Sequence, residues 1–366
     1  MIKFTDFRRH NRPLKKIINQ TFQRFIESGW YILGQEVESF EKEFANYIGT
    51  KYAVGVASGT DALTLSLKTL DLGANDGVIV PTNVYPTVFG VALSGVNIQL
   101  ADIDPKTLNI SLQSIKEITT RKTKAIIAVH LYGNPIDLDP ILDFCKKNKL
   151  YLIEDCAQAH GAIYKGKKVG SFGHMSCFSF YPTKNLGTYG DGGMVLTSNK
   201  KYAQIIHRLR MYGEEKRYKS LYLGHNSRLD ELHAAILREK LKFLDEWNRK
   251  RRQLAQEYKR LLVGLPIEFA EETPNSISAY HLFVIKTKKR NRLAEFIKSY
   301  GIDYGIHYPT NIHLQKSFAH LKYRKGKFPV AEKAVNEILS LPLYPEMKIS
   351  EVRYVAKTIR EFFDKH

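Results

Sequence analysis

Cysteine is scarce in this chain: Cys145, Cys156 and Cys177 are the only three in 366 residues, widely spaced and odd in number. No two sit at a metal-ligand interval, and the twelve histidines form neither an H-x-x-x-H nor an H-E-x-x-H pattern. A disulfide framework and a zinc site are both unsupported; three small core thiols in a reducing compartment account for the pattern. Long apolar runs are missing too, none approaching the roughly 20 residues that cross a bilayer. The opening Met1-Ile2-Lys3-Phe4-Thr5-Asp6 lacks the basic-then-apolar layout of a secretory signal, so a cytoplasmic protein without membrane insertion is expected. Acidic residues are outnumbered, 37 against 56 Lys and Arg, for a formal charge of +19. Such a balance suits nucleic acid, an acidic surface or an anionic substrate. The basic residues are dispersed, however, and the densest group, Arg249-Lys250-Arg251-Arg252, falls inside an expected helix with no recognisable nucleic-acid module around it. An anionic small substrate fits better, and no nucleic-acid partner is expected.

What is present is an ordinary globular composition, 43% hydrophobic, long enough for two domains. Between about residues 51 and 198, short apolar runs (78–80, 98–100, 125–129, 150–153 and 177–180) alternate with helical patterns (62–70, 111–119 and 140–148). That alternation predicts an α/β fold, a mostly parallel sheet covered on both faces, with ligands gathering where strands end. Leu232, Ile236, Leu244, Trp247, Leu254, Tyr258 and Leu261 recur at helical spacing and predict one long helix from near Asp230 to Leu262, ended by Gly264 and Pro266. A strand over 280–285 and helices over 292–300 and 329–338 follow, which reads as a smaller α+β domain. The expected division is an N-terminal segment 1–24 packing on the small domain, a large domain 25–240, and a linking helix with the small domain over 241–366.

Lys184 follows the apolar stretch 175–181 and enters a Gly-rich loop, 187–193, while Asp155 closes the apolar run 150–153. A lysine at one strand exit and an acid at a neighbouring one is what pyridoxal phosphate chemistry requires. The amine forms a Schiff base with the aldehyde, and the carboxylate keeps the pyridine nitrogen protonated, making the ring an electron sink. A solvated lysine and an aspartate capping the next element are the plain alternatives. Ala57-Ser58-Gly59-Thr60-Asp61 opens a helix after a strand-like run; its first amides suit a phosphate, or Ser58, Thr60 or Asp61 simply caps it. Ser179 adds a hydroxyl near Lys184. Gln158 either braces the ring side or bonds backbone, and Tyr85 either stacks on the cofactor or packs in the core.

Taken in order, Tyr31-Ile32-Leu33-Gly34-Gln35-Glu36-Val37, Gly59-Thr60-Asp61-Ala62-Leu63, Val129-His130-Leu131-Tyr132-Gly133, Glu154-Asp155-Cys156-Ala157-Gln158-Ala159-His160-Gly161, residues 178–193, Asn226-Ser227-Arg228-Leu229-Asp230-Glu231-Leu232, His307-Tyr308-Pro309 and Leu339-Ser340-Leu341-Pro342 resemble the DegT/StrS-type sugar aminotransferases among the fold-type-I pyridoxal phosphate enzymes. The resemblance spans nearly the whole chain. It implies Lys184 as the covalent anchor and proton carrier, and Asp155 on the pyridine nitrogen. It further implies Gln158 at the ring side, Gly59, Thr60 and Ser179 on the phosphate, and Tyr85 stacked on the ring. Asn226 matches an asparagine that completes the phosphate site of the facing subunit, so a homodimer with shared sites is implied. Lys184 also separates the chain from the dehydratase branch, which carries histidine there. The chain departs from the usual pattern at Leu232-His233-Ala234-Ala235, where glutamine is common in place of His233, and at 83–87.

The same resemblance implies glutamate as amino donor and a nucleotide-linked keto sugar as acceptor. Tyr181-Pro182-Thr183-Lys184-Asn185 with His307-Tyr308-Pro309 is similar to the branch aminating C3 of dTDP-3-keto-6-deoxyhexoses, whose products enter surface polysaccharides such as O-antigen or glycosylated antibiotics. Tyr181, Tyr212, Arg228, His307 and Tyr308 are the expected sugar-nucleotide contacts. A UDP-linked 3-keto uronate or a 4-keto sugar is the nearest alternative; a non-catalytic regulatory protein of the same fold is a more distant one.

Overall fold

The structure, a computed structural model, describes residues 1–365. Nine strands lie before residue 200: β1 Tyr52–Val56, β2 Gly77–Pro81, β3 Asn97–Ala101, β4 Thr123–Val129, β5 Tyr151–Asp155, β6 Ile163–Tyr164, β7 Lys167–Lys168, β8 Met175–Ser179 and β9 Gly193–Thr197. Seven of them form one sheet in the order β1-β9-β8-β5-β4-β2-β3. All neighbours are parallel except β9, which runs against both β1 and β8. The chain returns from β8 to β9 through the Gly-rich loop without a crossover helix, and a return of that kind gives an antiparallel pair. All five predicted strand runs fall on β2, β3, β4, β5 and β8.

Both faces of this sheet are apolar, and for that reason the strand runs read as continuous rather than alternating. Along β4, Ala125, Ile127 and Val129 enter one core, Ile126 and Ala128 the other. The helix Gly59–Thr69 covers the first face against β8 and β9, while Gln35–Ile48 packs on β1 and on the helix Glu231–Leu241. A third core gathers Leu254, Tyr258, Phe283, Leu293, Leu339 and Val355 around the antiparallel strands Glu268–Phe269, Phe283–Lys286 and Ile338–Leu341. The N-terminal residues join this part: Ile2 bridges Ile302, and Arg9 pairs bidentately with Glu351 at 2.8 and 2.9 Å.

Two expectations are corrected. The long helix is two, Glu231–Leu241 and Leu244–Leu262, broken at Lys242 and Phe243. Its first half buries Ala234 and Leu237 in a core of the large sheet, its second Leu254 and Tyr258 in the third core, so the two halves serve different cores. The strand predicted from residue 280 starts at Phe283. Tyr280 adopts φ 43°, and Ala279 and Leu282 donate to the carbonyls of Gly133 and Tyr132, which pulls the residues before Phe283 out of the ladder and over the large sheet.

Candidate active site

The parallel strands β5 and β8 end, and the helix after β1 begins, at the same edge of the sheet, where Asp155, Ser179 and the helix start Ser58-Gly59-Thr60 line a cavity of about 360 Å³. Ser58 caps the helix, its Oγ accepting from Asp61 N–H at 3.0 Å, while the amides of Gly59 and Thr60 lie in the first turn, which has no intrahelical acceptors. Gly59 is required for approach: a Cβ there would stand 2.7 Å from Ser179 Cβ. Two amides, the Thr60 hydroxyl and the Ser179 hydroxyl at a positive helix end form a donor set for a phosphate.

Asp155, 4% exposed, ends β5 with its carboxylate oriented from both sides. Oδ2 accepts from Thr87 Oγ at 2.7 Å and Oδ1 from Ala157 N–H at 3.0 Å. Lys184 lies across the same cavity, partly exposed to it. Removal from bulk water pulls its pKa down to about 8, against an opposing pull from the Asp155 charge. An amine without a partner among the described residues, an oriented acid and a phosphate-shaped helix end fit pyridoxal phosphate: Lys184 would hold the aldehyde carbon, Asp155 the ring nitrogen, Gly59, Thr60 and Ser179 the phosphate.

Gln158 lines the cavity with both ends of its amide engaged; Oε1 accepts from Tyr132 N–H at 2.7 Å and Nε2 donates to the Tyr308 hydroxyl at 3.3 Å. The Tyr132 hydroxyl donates to the His307 carbonyl at 2.6 Å. His307 stacks on Phe4 at 5.6 Å and shares a hydrogen bond with Ser340 Oγ at 3.0 Å; burial first, then Lys184, brings its pKa down to about 4. The cavity therefore unites Gly59, Thr60, Asp155, Gln158, Ser179, Tyr181, Lys184, His307 and Tyr308.

Four expected residues lie outside this chain's cavity lining. Tyr85 stands beside it, 43% exposed, with its ring 4.8 Å from Phe89 and 6.3 Å from Tyr308, while its neighbours Pro86 and Thr87 line the wall. Asn226 is exposed, Tyr212 is 51% exposed with φ 59°, and Arg228 directs Nη1 to Met211 Sδ at 3.7 Å. Sequence reasoning missed Thr87, Asp191 and His281. A threonine one place after a proline at a helix start was the available signal for Thr87; His281 looked like a strand residue. His233 has a role in the structure: its Nδ1 bonds the Asp191 carbonyl at 3.0 Å and its ring fills the space beside Gly190, bracing the loop after Lys184.

His130, Glu154 and Cys156 cluster beneath the site, fully buried. Glu154 accepts from the amides of Gly170, Phe172 and Gly173 and pairs with His130 Nε2 at 3.1 Å, while His130 Nδ1 accepts from Ile136 N–H. These bonds tie the segment before β8 to the end of β5 and hold the two strand exits in register.

Residues 13–360 match the DegT/DnrJ/EryC1/StrS aminotransferase family. The dTDP-3-amino-3,6-dideoxy-alpha-D-galactopyranose transaminase of Aneurinibacillus thermoaerophilus is 44% identical over 363 residues, 99% of each chain. The UDP-N-acetyl-3-dehydro-alpha-D-glucosamine 3-aminotransferase of Acidithiobacillus ferrooxidans is 39% identical, over 98% of this chain and 97% of that one. The crystal structure of S. venezuelae DesV in complex with a ketimine intermediate superposes with a TM-score of 0.97 at 38% identity, covering 99% of this chain and 98% of that one. Full-length similarity, one fold and a cavity suited to the cofactor converge: this chain belongs to the DegT/DnrJ/EryC1/StrS family and is a pyridoxal phosphate-dependent aminotransferase.

Proposed function

We propose that the protein moves an amino group from L-glutamate to C3 of a dTDP-3-keto-6-deoxyhexose, in the cytoplasm, for surface polysaccharide or other deoxyaminosugar synthesis. The observation that carries the reaction is the amine of Lys184, without a partner among the described residues, in one cavity with Asp155 and the Gly59–Thr60 helix start. The sugar rests on similarity to a dTDP-3-amino-3,6-dideoxyhexose transaminase. A UDP-linked 3-keto sugar is the second reading, supported by the 39% identical relative named for such a substrate.

When bound, pyridoxal phosphate supplies an aldehyde carbon that carries the amino group and a cationic ring that delocalises the electron pair left by proton removal. Asp155, held by Thr87 and Ala157, would face the ring nitrogen. Gly59, Thr60 and Ser179 would hold the phosphate, with Gln158 toward the ring side and Tyr85, beside the cavity, available to the ring. Lys184 takes the α-proton of the donor and, in the second half, returns a proton to the sugar carbon; a pKa near 8 keeps a usable fraction neutral at physiological pH. Tyr181, His307 and Tyr308 contact the sugar.

The active unit in this reading is a homodimer. Trp30 (62% exposed), Tyr218 (82%) and Leu223 (89%) are too apolar to favour water, and Tyr212, Asn226 and Arg228 share the same exposed segment as Tyr218 and Leu223. They reach across, with Asn226 completing the partner's phosphate site and Tyr212 and Arg228 meeting the nucleotide sugar. The test is incubation with L-glutamate and a panel of dTDP- and UDP-linked keto sugars, with products identified by mass and NMR. A dTDP-3-amino-6-deoxyhexose as the best product supports the first reading; faster turnover of a UDP-3-keto sugar replaces it with the second.

A further inference from the structure

A chain of amides fixes the protonation of a histidine that lines the cavity. Asn248 donates from Nδ2 to the His160 carbonyl at 2.7 Å, which turns its Oδ1 toward Asn185. Asn185 donates from Nδ2 to that oxygen and to the Ala279 carbonyl, both at 2.8 Å. A backbone carbonyl only accepts, so neither amide can be flipped, and Asn185 Oδ1 is left facing His281 Nδ1 at 3.0 Å. An amide oxygen needs a donor opposite it, and His281 therefore carries its proton on Nδ1. Burial, reinforced by Lys184 and Arg251, holds this imidazole far below its usual range, so it is neutral and Nε2 is a bare lone pair. Lys184 presents the complement: its amine opens to the same cavity and has no acceptor among the described residues, and its chain neighbour is Asn185.

We propose that His281 positions the amine of Lys184, which makes no such bond in the structure: when the amine turns toward it across their shared cavity, Nε2 accepts one N–H and leaves the nitrogen lone pair free to face the carbon whose proton it moves. His281 takes no proton itself. The inference rests on the reading of Lys184 as proton carrier. The other titratable groups around the pair are Asp155, His160, His307, Tyr308 and Arg251.

The tautomer is read on cofactor-free protein carrying ¹⁵N-histidine, by long-range ¹H–¹⁵N correlation between about pH 6 and 9. A proton on Nδ1 and a bare Nε2 throughout are expected; a protonated Nε2 overturns the proposal. His281→Asn keeps a donor for Asn185 but removes the cavity acceptor, and His281→Gln returns an acceptor near the place of Nε2. The Asn variant is expected to retain cofactor absorbance and to lose roughly 10–100-fold in kcat with KM for glutamate within about twofold. Its rising pH limb should move to lower pH, because an amine without an acceptor favours its uncharged form. The Gln variant should recover most of the rate. A wild-type rate and unshifted limb in the Asn variant, or a Gln variant no better than it, overturn the proposal; should the Asn variant misfold, the tautomer of the unaltered protein still decides. Failure of the unaltered protein to take up cofactor sinks the functional reading itself, whereas intact uptake with a wild-type Asn variant sinks this inference alone.

Discussion

At the scale of single residues, Lys184 makes two opposed demands. A lysine with a folded pKa near 8 and an unfolded one of 10.5 loses its proton first in the folded state. The cofactor-free fold is therefore penalised below about pH 8, and the penalty fades as pH rises toward 10.5. Lys184→Met should raise the melting temperature of cofactor-free protein at pH 7 by about 2–4 °C, the shift that ~1 kcal/mol gives in a large domain, and the gain should vanish by pH 10. The same substitution should abolish the visible absorbance of bound cofactor and cut turnover by at least ~10³-fold. Thr87 was not legible as functional because a threonine following a proline at a helix start commonly serves the helix alone, yet it orients Asp155. Thr87→Val removes one hydrogen bond to a charged group, worth roughly 1.5–3 kcal/mol, so cofactor affinity measured by spectral titration should fall about 10–100-fold.

At the scale of elements, the strand ends were readable because parallel strands buried on both faces give short apolar runs, and the residues just beyond them are where chemistry collects. Asp155 and Ser179 sit there as the runs implied. The helix break at Lys242 and Phe243 was not readable, since the apolar spacing runs on across it and only the fold assigns the two halves to separate cores. Lys240, next to the break, is buried and donates to the Gly187 carbonyl of the loop after Lys184. Glu231 at the start of the first half accepts from the amides of Gly34, Glu36 and Val37 at 2.8, 2.9 and 2.9 Å, serving as the cap of the helix Gln35–Ile48. Glu231→Ala should destabilise the fold by about 2–3 kcal/mol in urea titration, because it strands three amide donors at once, one buried and two half-buried.

At the scale of the whole molecule, the cavity of one chain lacks Asn226, Tyr212 and Arg228 although the family resemblance enlists them, and the exposed apolar segment carrying them fits a shared site. Sedimentation should give a dimer. Mixing inactive Lys184→Ala with inactive Asn226→Asp chains, after dissociation and reassembly, should recover measurable turnover, since each mixed dimer contains one site with both defects and one with neither. No recovery from chains that do reassemble would place each site within a single subunit.

The linear order of strand runs, strand-end acids and amines, and a glycine-led helix start determined the fold class and the cofactor, because local pattern and backbone approach are written in neighbouring positions. Which side chains stand opposite one another was decided only by the fold. Asn185 reads its partners from 63 and 94 positions away, and through them sets where a proton sits on His281, 96 positions on. A hydrogen's place on a buried imidazole follows from the carbonyls that surround it, and those converge only once the large sheet and the C-terminal segment have closed together.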